Sequence, residues 1–372
     1  MKLPSRKTLQ MHTPAVRQKI ENTMISELHN KKLWLCMDLM TDRKQNSIVN
    51  VIVRTLQPSK PSSSFLLASK RLQRCSGKAI TMVVLNALEK FHLSRDQVLM
   101  FVTAGAATMH SVGRALKQEC GNLLHITCKL HVLNVVAEEI QTCYPNINGL
   151  ILSTKAVFLK SPKRIREFYK QCPNIPQPSE PVLSPWGTWL KTAFYYFEHF
   201  HKIKSVVLQF DPKEAAVIKE SQMIFQDPQV EADLQTIHHN YKGVVEAVEK
   251  LQNPSLPLVE SLQIVDNVQS SLRAINDAKN NRVRTKFDSI LKEDLDFARL
   301  RQMCGVFVST DSLNNCNDCF NYANITSLDV ECSFSSYKLL FTPRRTMLSE
   351  TTVETYLMLQ LFSQAKGNAN VV

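Results

Sequence analysis

The stretch Leu33–Leu56, LWLCMDLMTDRKQNSIVNVIVRTL, limits what this chain can fold into more than any other. It is a short apolar run, a polar turn and a second run rich in Val and Ile, a pattern that predicts two β-strands joined as an antiparallel hairpin. Asp38 sits inside the first run, with Leu33, Trp34, Leu35, Cys36 and Met37 before it and Leu39 and Met40 after it. An unpaired carboxylate is costly to bury in an apolar strand, so a residue in that position is usually paired, metal-bound or functional. The plainer alternative is that Asp38 ends the strand and caps the turn with Thr41 and Asp42. Both readings stand on this segment alone.

The next 90 residues alternate. A breaker-rich stretch, Gln57–Ser64, leads to a third short apolar run, Phe65–Ala68. Ser76 is an acceptable N-cap for a helix with Ile80, Val83, Val84, Ala87, Leu88 and Phe91 on one face. Val98–Val102 is a continuous apolar run of the buried-strand type, followed by a helix bearing Ala106, Met109, Val112 and Leu116. A fifth run, Leu123–Thr127, enters another helix with Leu133, Val136, Ala137 and Ile140. Ahead of the hairpin, Val16, Ile20, Met24 and Leu28 recur at four-residue steps and predict a helical lead-in. Three hairpin-linked strands followed by α/β alternation predict an α/β layer with a mixed sheet, in the order of the ribonuclease H-like fold.

Beyond residue 143 the strand signal nearly disappears. Helical patterns punctuated by prolines run from Ile147 to about residue 303, and a last helix is expected around Val353–Phe362. The expected organisation is a first part of the core at 1–143 and an all-helical insertion at 144–319. The C-terminal part of the core would follow at 320–365, with a disordered tail at 366–372.

Composition narrows the partners. The 372 residues carry a formal charge of +12 and a pI near 9.2, which favours acidic partners, nucleic acid first among them. Ten scattered cysteines form no disulfide-like ladder, so reduced cytosolic or nuclear thiols are expected. The N-terminus has positive charge without an apolar core, and no run approaches the roughly 18–20 apolar residues that span a bilayer. No membrane role is expected.

Several blocks carry a family resemblance. DLMTD at 38–42 and FVTAGAATM at 101–109 resemble the two strand-borne catalytic blocks of hAT-superfamily transposases. Cys128-Lys129-Leu130-His131, followed by Leu133-Asn134, is similar to that superfamily's C-x-x-H block. Trp186-Gly187-Thr188-Trp189 with Tyr195-Tyr196 resembles the R-W-x-T-W block that opens the helical insertion. Glu331–Ser335 and Arg344-Arg345-x-x-Leu348 resemble the C-terminal dimerisation block. Overall the chain looks most like hAT-derived proteins similar to the CGG triplet repeat-binding protein. The resemblance implies a ribonuclease H-like core whose three acids hold two divalent ions about 3.5–4 Å apart, self-association through the C-terminal region, DNA as partner and a nuclear location.

The departures are as informative. Asp38 and Glu331 stand at the first and third acid positions, but Ala104 stands where the resemblance expects the second. Sixty-six residues separate Asp38 from Ala104 and 227 separate Ala104 from Glu331, spacings that suit such a core with a large insertion. An alanine cannot ligate a metal, so no enzymatic activity, no metal and no cofactor are expected. Pro185 replaces the Arg expected before Trp186, and nothing before residue 36 supplies the Cys/His set of the N-terminal BED zinc finger that related proteins usually carry. Candidate DNA contacts are Trp186, Lys155, Lys160, Lys163, Arg164, Arg166, Arg344 and Arg345, although basic runs are more often solvated faces. Cys128 with His131, and Cys316 with Cys319, both fall short of the four ligands of a structural zinc site.

The leading expectation is therefore a catalytically inactive, transposase-derived DNA-binding and self-associating protein, acting in transcription regulation. Two alternatives remain open. One is an active metal-dependent transposase or nuclease that uses a further acid. The other is an interaction scaffold or genomic relic with no DNA role.

Overall fold

The computed structural model describes residues 6–42, 44–178, 188–307, 318–341 and 348–368. The first half runs α1 (Arg6–Leu28), β1 (Leu33–Thr41), β2 (Ser47–Thr55), β3 (Phe65–Leu72), α2 (Gly77–Lys90), β4 (Val98–Thr103), α3 (Ala107–Cys120), β5 (Leu124–Thr127) and α4 (Lys129–Cys143). Helices follow: α5 (Pro145–Phe158), α6 (Pro162–Gln171), α7 (Thr188–Val207), α8 (Ala216–Gln226), α9 (Pro228–Lys250), α10 (Leu258–Ala274), α11 (Ala278–Glu293), α12 (Leu295–Phe307), α13 (Leu328–Leu340) and α14 (Glu350–Asn368). The protein is mixed α/β, and its backbone divides into two compact units. One comprises residues 1–129, 251–263 and 291–372; the other comprises 130–250 and 264–290.

The first unit is built on a five-stranded sheet of order β3-β2-β1-β4-β5. β1 pairs antiparallel with β2, and β2 with β3, while β1 pairs parallel with β4, and β4 with β5. The hairpin turn is held by Asp42, whose Oδ1 accepts the amides of Lys44 and Asn46, each at 2.8 Å. β1, β2 and β4 are buried almost throughout because helices cover both faces, which is why they read as continuous apolar runs. β3 extends to Leu72, four residues past the apolar run that announced it. Near its end the strand carries Lys70 and the exposed Arg71, where it opens to solvent.

Helix signals are satisfied locally. The Ser76 side chain accepts the amide of Ala79 and caps α2, whose buried face is Ile80, Thr81, Val84, Ala87 and Leu88. On α1, Ile20, Met24 and Leu28 are buried as their spacing predicts, but Val16 is 43% exposed. α14 continues to Asn368, three residues into the expected tail.

One close approach fixes α3 on the sheet. A Cβ on Gly113 would lie 2.0 Å from Nδ1 of His125, so only glycine lets the helix reach this strand. His125 stacks on Phe101 and shares a hydrogen bond of 2.8 Å between its Nε2 and Thr103 Oγ1. Burial, with His110 adding to it, pulls the His125 imidazole down to about 4.

β5 is an edge strand, and α12 shields it. Asp296 accepts the backbone N–H of His125 at 2.8 Å, and Asp294 accepts that of Thr127 at 3.0 Å. Two outward N–H groups that could template another strand are thus used by carboxylates. Asp294 also pairs with Lys129 at 2.7 Å, with both side chains almost fully buried. Lys129 lies 3.6 Å above the Phe297 ring. Burial pulls the Lys129 ammonium below its ordinary value, and Asp294 opposes that shift.

The second unit is all helical. α5 packs on α8 through a buried hydrogen bond of 2.9 Å between Thr154 Oγ1 and Ser221 Oγ, and Phe158 meets Phe168 and Phe210 edge-on. Lys279 on α11 bridges Asp233 and the Tyr144 ring.

Candidate functional site

The site grows from the alternation of β1. Trp34, Cys36 and Asp38 share one face of the sheet, and α13 covers it. Three contacts hold α13 and the segment before it in place. Arg54, opposite Trp34 on β2, makes a bidentate pair with Asp329, both bonds at 2.7 Å and both partners largely buried. Asn50, opposite Asp38, donates to Ser333 Oγ at 2.7 Å, and Trp34 Nε1 donates to the carbonyl of Asn324 at 2.8 Å. Burial disfavours the Arg54 charge, yet Asp329 keeps its pKa above the ordinary value.

This docking brings the first and third candidate acids together. Asp38 is 6% exposed, and its Oδ1 accepts the amide of Leu39 at 2.7 Å. Glu331 lies half-buried in the first turn of α13, and one carboxylate oxygen of each residue lies within 4.8 Å of the other. Two acids separated by nearly 300 residues thus converge.

The second position follows from strand register. β1 and β4 pair Leu35 with Phe101, Cys36 with Val102 and Met37 with Thr103. The pairing ends there, and Ala104 is the first residue past β4, as Asp38 is the next residue of β1. Ala104 is half-buried and carries no polar group.

Cys128 closes the same face. Its backbone N–H donates to Thr103 O at 2.8 Å, and its buried sulfur accepts the amide of Ser327 at 3.2 Å. Burial pushes the Cys36 thiol well above its ordinary value, with Asp329 adding to it. His131 lies three residues after Cys128 on α4, half-buried, in the second unit.

The remaining candidates are dispersed. Lys155, Lys160, Lys163, Arg164 and Arg166 lie on or between α5 and α6 of the second unit. Part of that run is engaged: Lys163 and Arg164 pair with Glu214 at 3.7 and 3.5 Å, and Arg164 also donates to the Val157 carbonyl. Trp186, Arg344, Arg345 and Cys316 lie outside the described residues. The sequence reading overlooked Arg54, Asn50 and Lys129, although a lone Arg or Asn in a Val/Ile strand is the same signal that singled out Asp38.

Residues 3–157 match a family model described as a domain of unknown function, DUF659. That family is typical of hAT-like transposase-related proteins. The matched span runs from the N-terminal segment through β5 and α4 to the end of α5, so it contains Asp38, Ala104 and Cys128 but not Glu331. No curated protein matches the chain. Among the described residues, no helix is long and apolar enough to cross a membrane.

Proposed function

We propose that this chain is a catalytically inactive, hAT-transposase-derived protein that binds DNA through a ribonuclease H-like core interrupted by a helical insertion. It self-associates through its C-terminal region and acts in the nucleus, in transcription regulation. The observation that carries the reading is that β1 and β4 pair in parallel up to Met37 and Thr103, with Asp38 following the one and Ala104 the other. The strand order, with three antiparallel strands followed by two parallel ones, suits such a core. Asp38 and Glu331 converge as its first and third acids would. The DUF659 match points to the same group of proteins.

Metal-dependent phosphoryl transfer needs two ions clamped between the attacking and leaving oxygens. With alanine at one of three acid positions, the acid set does not fit that arrangement, and no catalytic step is drawn through it. What remains is a basic protein with an acid pair at the rim of its sheet, suited to holding DNA rather than cutting it.

The retained proximity of Asp38 and Glu331 favours one other reading, an active nuclease that recruits a further ligand. Incubation with nicked or hairpin DNA and Mg²⁺ or Mn²⁺ separates the two. The inactive reading expects salt-dependent retardation in a gel shift and no strand cleavage. Cleavage that disappears in Asp38→Asn would overturn it, and absence of binding at low ionic strength would leave an interaction scaffold.

A further inference from the structure

The positive charge of the chain is concentrated. Residues 1–129 hold 20 Lys and Arg against 7 Asp and Glu, whereas residues 130–250 hold 13 of each. Within the first segment, Arg43 through Leu88 contains eight cations and no carboxylate. Two of the eight serve the fold: Arg54 is paired with Asp329, and Lys70 lies 3.3 Å from Glu354 and 3.7 Å from Glu350.

Most of the others gather at one end of the sheet. The β2–β3 register pairs Ile48 with Arg71 and Ser47 with Leu72, so the hairpin turn carrying Lys44 abuts the last residues of β3. Arg74 follows in the bend and Lys78 in the first turn of α2. A Cβ on Gly77 would lie 2.9 Å from Ser111 Oγ, so the start of α2 rests on α3, where Arg114 is exposed one turn further along. Lys44, Arg71, Arg74, Lys78 and Arg114 are all exposed, and Arg71, Arg74 and Lys78 form no ion pair among the described residues.

A cavity of about 130 Å³ opens in this surface, lined by Asp42, Lys44, Lys70, Arg71, Tyr337 and Glu350 among others. Its acids are occupied, Asp42 by the amides of its own turn and Glu350 by Lys70. Lys44 and Arg71, both exposed, are among its lining cations. β1 and β4 are parallel and both end at this side, so the surface adjoins the end of the strand that carries Asp38.

We infer that Lys44, Arg71, Arg74, Lys78 and Arg114 form the surface that takes the phosphodiester backbone of DNA, with the cavity between Lys44 and Arg71 seating one phosphate. This rests on the DNA-binding reading above and moves the contact surface from the run at 155–170 to the open end of the sheet. The run at 155–170 is partly neutralised by Glu214 and Glu167, whereas Arg71, Arg74 and Lys78 lie in a 46-residue stretch, Arg43 to Leu88, that contains no carboxylate. Exposed cations that release condensed counterions from phosphate supply both affinity and its salt dependence.

The test is fluorescence anisotropy of the full chain with a labelled 30-base-pair duplex (a length of about three helical turns), titrated from low to moderate salt. Arg71→Gln/Arg74→Gln/Lys78→Gln is expected to lower the slope of log K against log salt by about 2–3, at about 0.9 per phosphate contact, and to weaken binding at least about tenfold at low salt. Lys155→Gln/Lys160→Gln/Lys163→Gln is expected to change the slope by less than about 1. An unchanged slope in the first variant, or a larger loss in the second, overturns the placement and leaves DNA binding standing. Failure of the wild-type chain to bind overturns the DNA reading and this inference with it. Should the first variant lose its fold, Arg74→Gln alone, in the exposed bend, is read for a slope decrease of about 1.

Discussion

Replacing Ala104 with Asp tests whether this position is the missing acid. Residue 104 follows Thr103, the last β4 residue paired with β1, and Asp38 follows its partner Met37, so strands spaced about 5 Å apart bring the two chain positions close. Glu331 already lies within 4.8 Å of Asp38. A third carboxylate at this rim adds like-charge repulsion of about 1–3 kcal/mol, taking an effective dielectric near 20–40 and a separation of about 5–7 Å. Without divalent ions Ala104→Asp should therefore melt below the wild-type chain at neutral pH. Binding of Mn²⁺ to the rebuilt triad reverses this: at about 100 times Kd the folded state gains about 2.7 kcal/mol, which raises Tm by roughly 3–6 °C for an unfolding unit of this size. The assay is thermal unfolding by circular dichroism with and without Mn²⁺, with titration calorimetry on the same samples and Ala104→Asn as the uncharged control. A folded Ala104→Asp protein that shows no Mn²⁺-dependent rise beyond that of the wild type and of Ala104→Asn would refute the assignment of residue 104.

Two further expectations concern the frame around the site. Asp294→Ala strips the partner from buried Lys129 and leaves the Thr127 amide without its acceptor; unfolding in urea should show a loss of about 3–5 kcal/mol, and a loss below about 1 kcal/mol would contradict the edge-shielding role of α12. His125 is depressed to about 4 in the fold against an ordinary value near 6.5, so its contribution is complete above about pH 6.5 and is lost as pH falls towards 4. Between pH 7 and 4.5 the wild type should lose up to about 2 kcal/mol more than His125→Gln, allowing for solvent screening of a half-buried ring. Parallel urea midpoints for the two proteins across that range would show that the imidazole takes up its proton equally in the folded and unfolded states, and would refute the depression.

Much of the fold was legible because its signals are local. Continuous apolar runs can only be strands covered on both faces or buried helix, and their brevity favoured strands; the Ser76 cap and the Gln57–Ser64 breakers marked the boundaries. The α13 helix was less visible, since its buried positions Val330, Ser333, Phe334, Ser336 and Tyr337 include two serines that no hydrophobic count picks up. Ser333 is buried with its hydroxyl accepting from Asn50 and donating to the Val330 carbonyl, and the Asn50 bond exists only once the sheet has formed. The candidate DNA contacts show the same limit. A run of Lys and Arg at 155–170 is conspicuous in the sequence, but whether its charges face solvent or a nearby Glu214 depends on how α6 meets the start of α8.

By itself the sequence determined the five strands and most of the helices, that Asp38 is out of place in an apolar strand, and that alanine stands at residue 104. Hydrophobic periodicity and side-chain chemistry are properties of the chain and survive in any arrangement. Only the tertiary structure decided that β1 and β4 pair in parallel up to Met37 and Thr103 and that Glu331 comes close to Asp38. It also decided that the acid-free stretch from Arg43 to Leu88 gathers its cations at the open end of the sheet. Register, helix docking and the pairing of charges are set by contacts between residues far apart in sequence, and no local pattern encodes those distances.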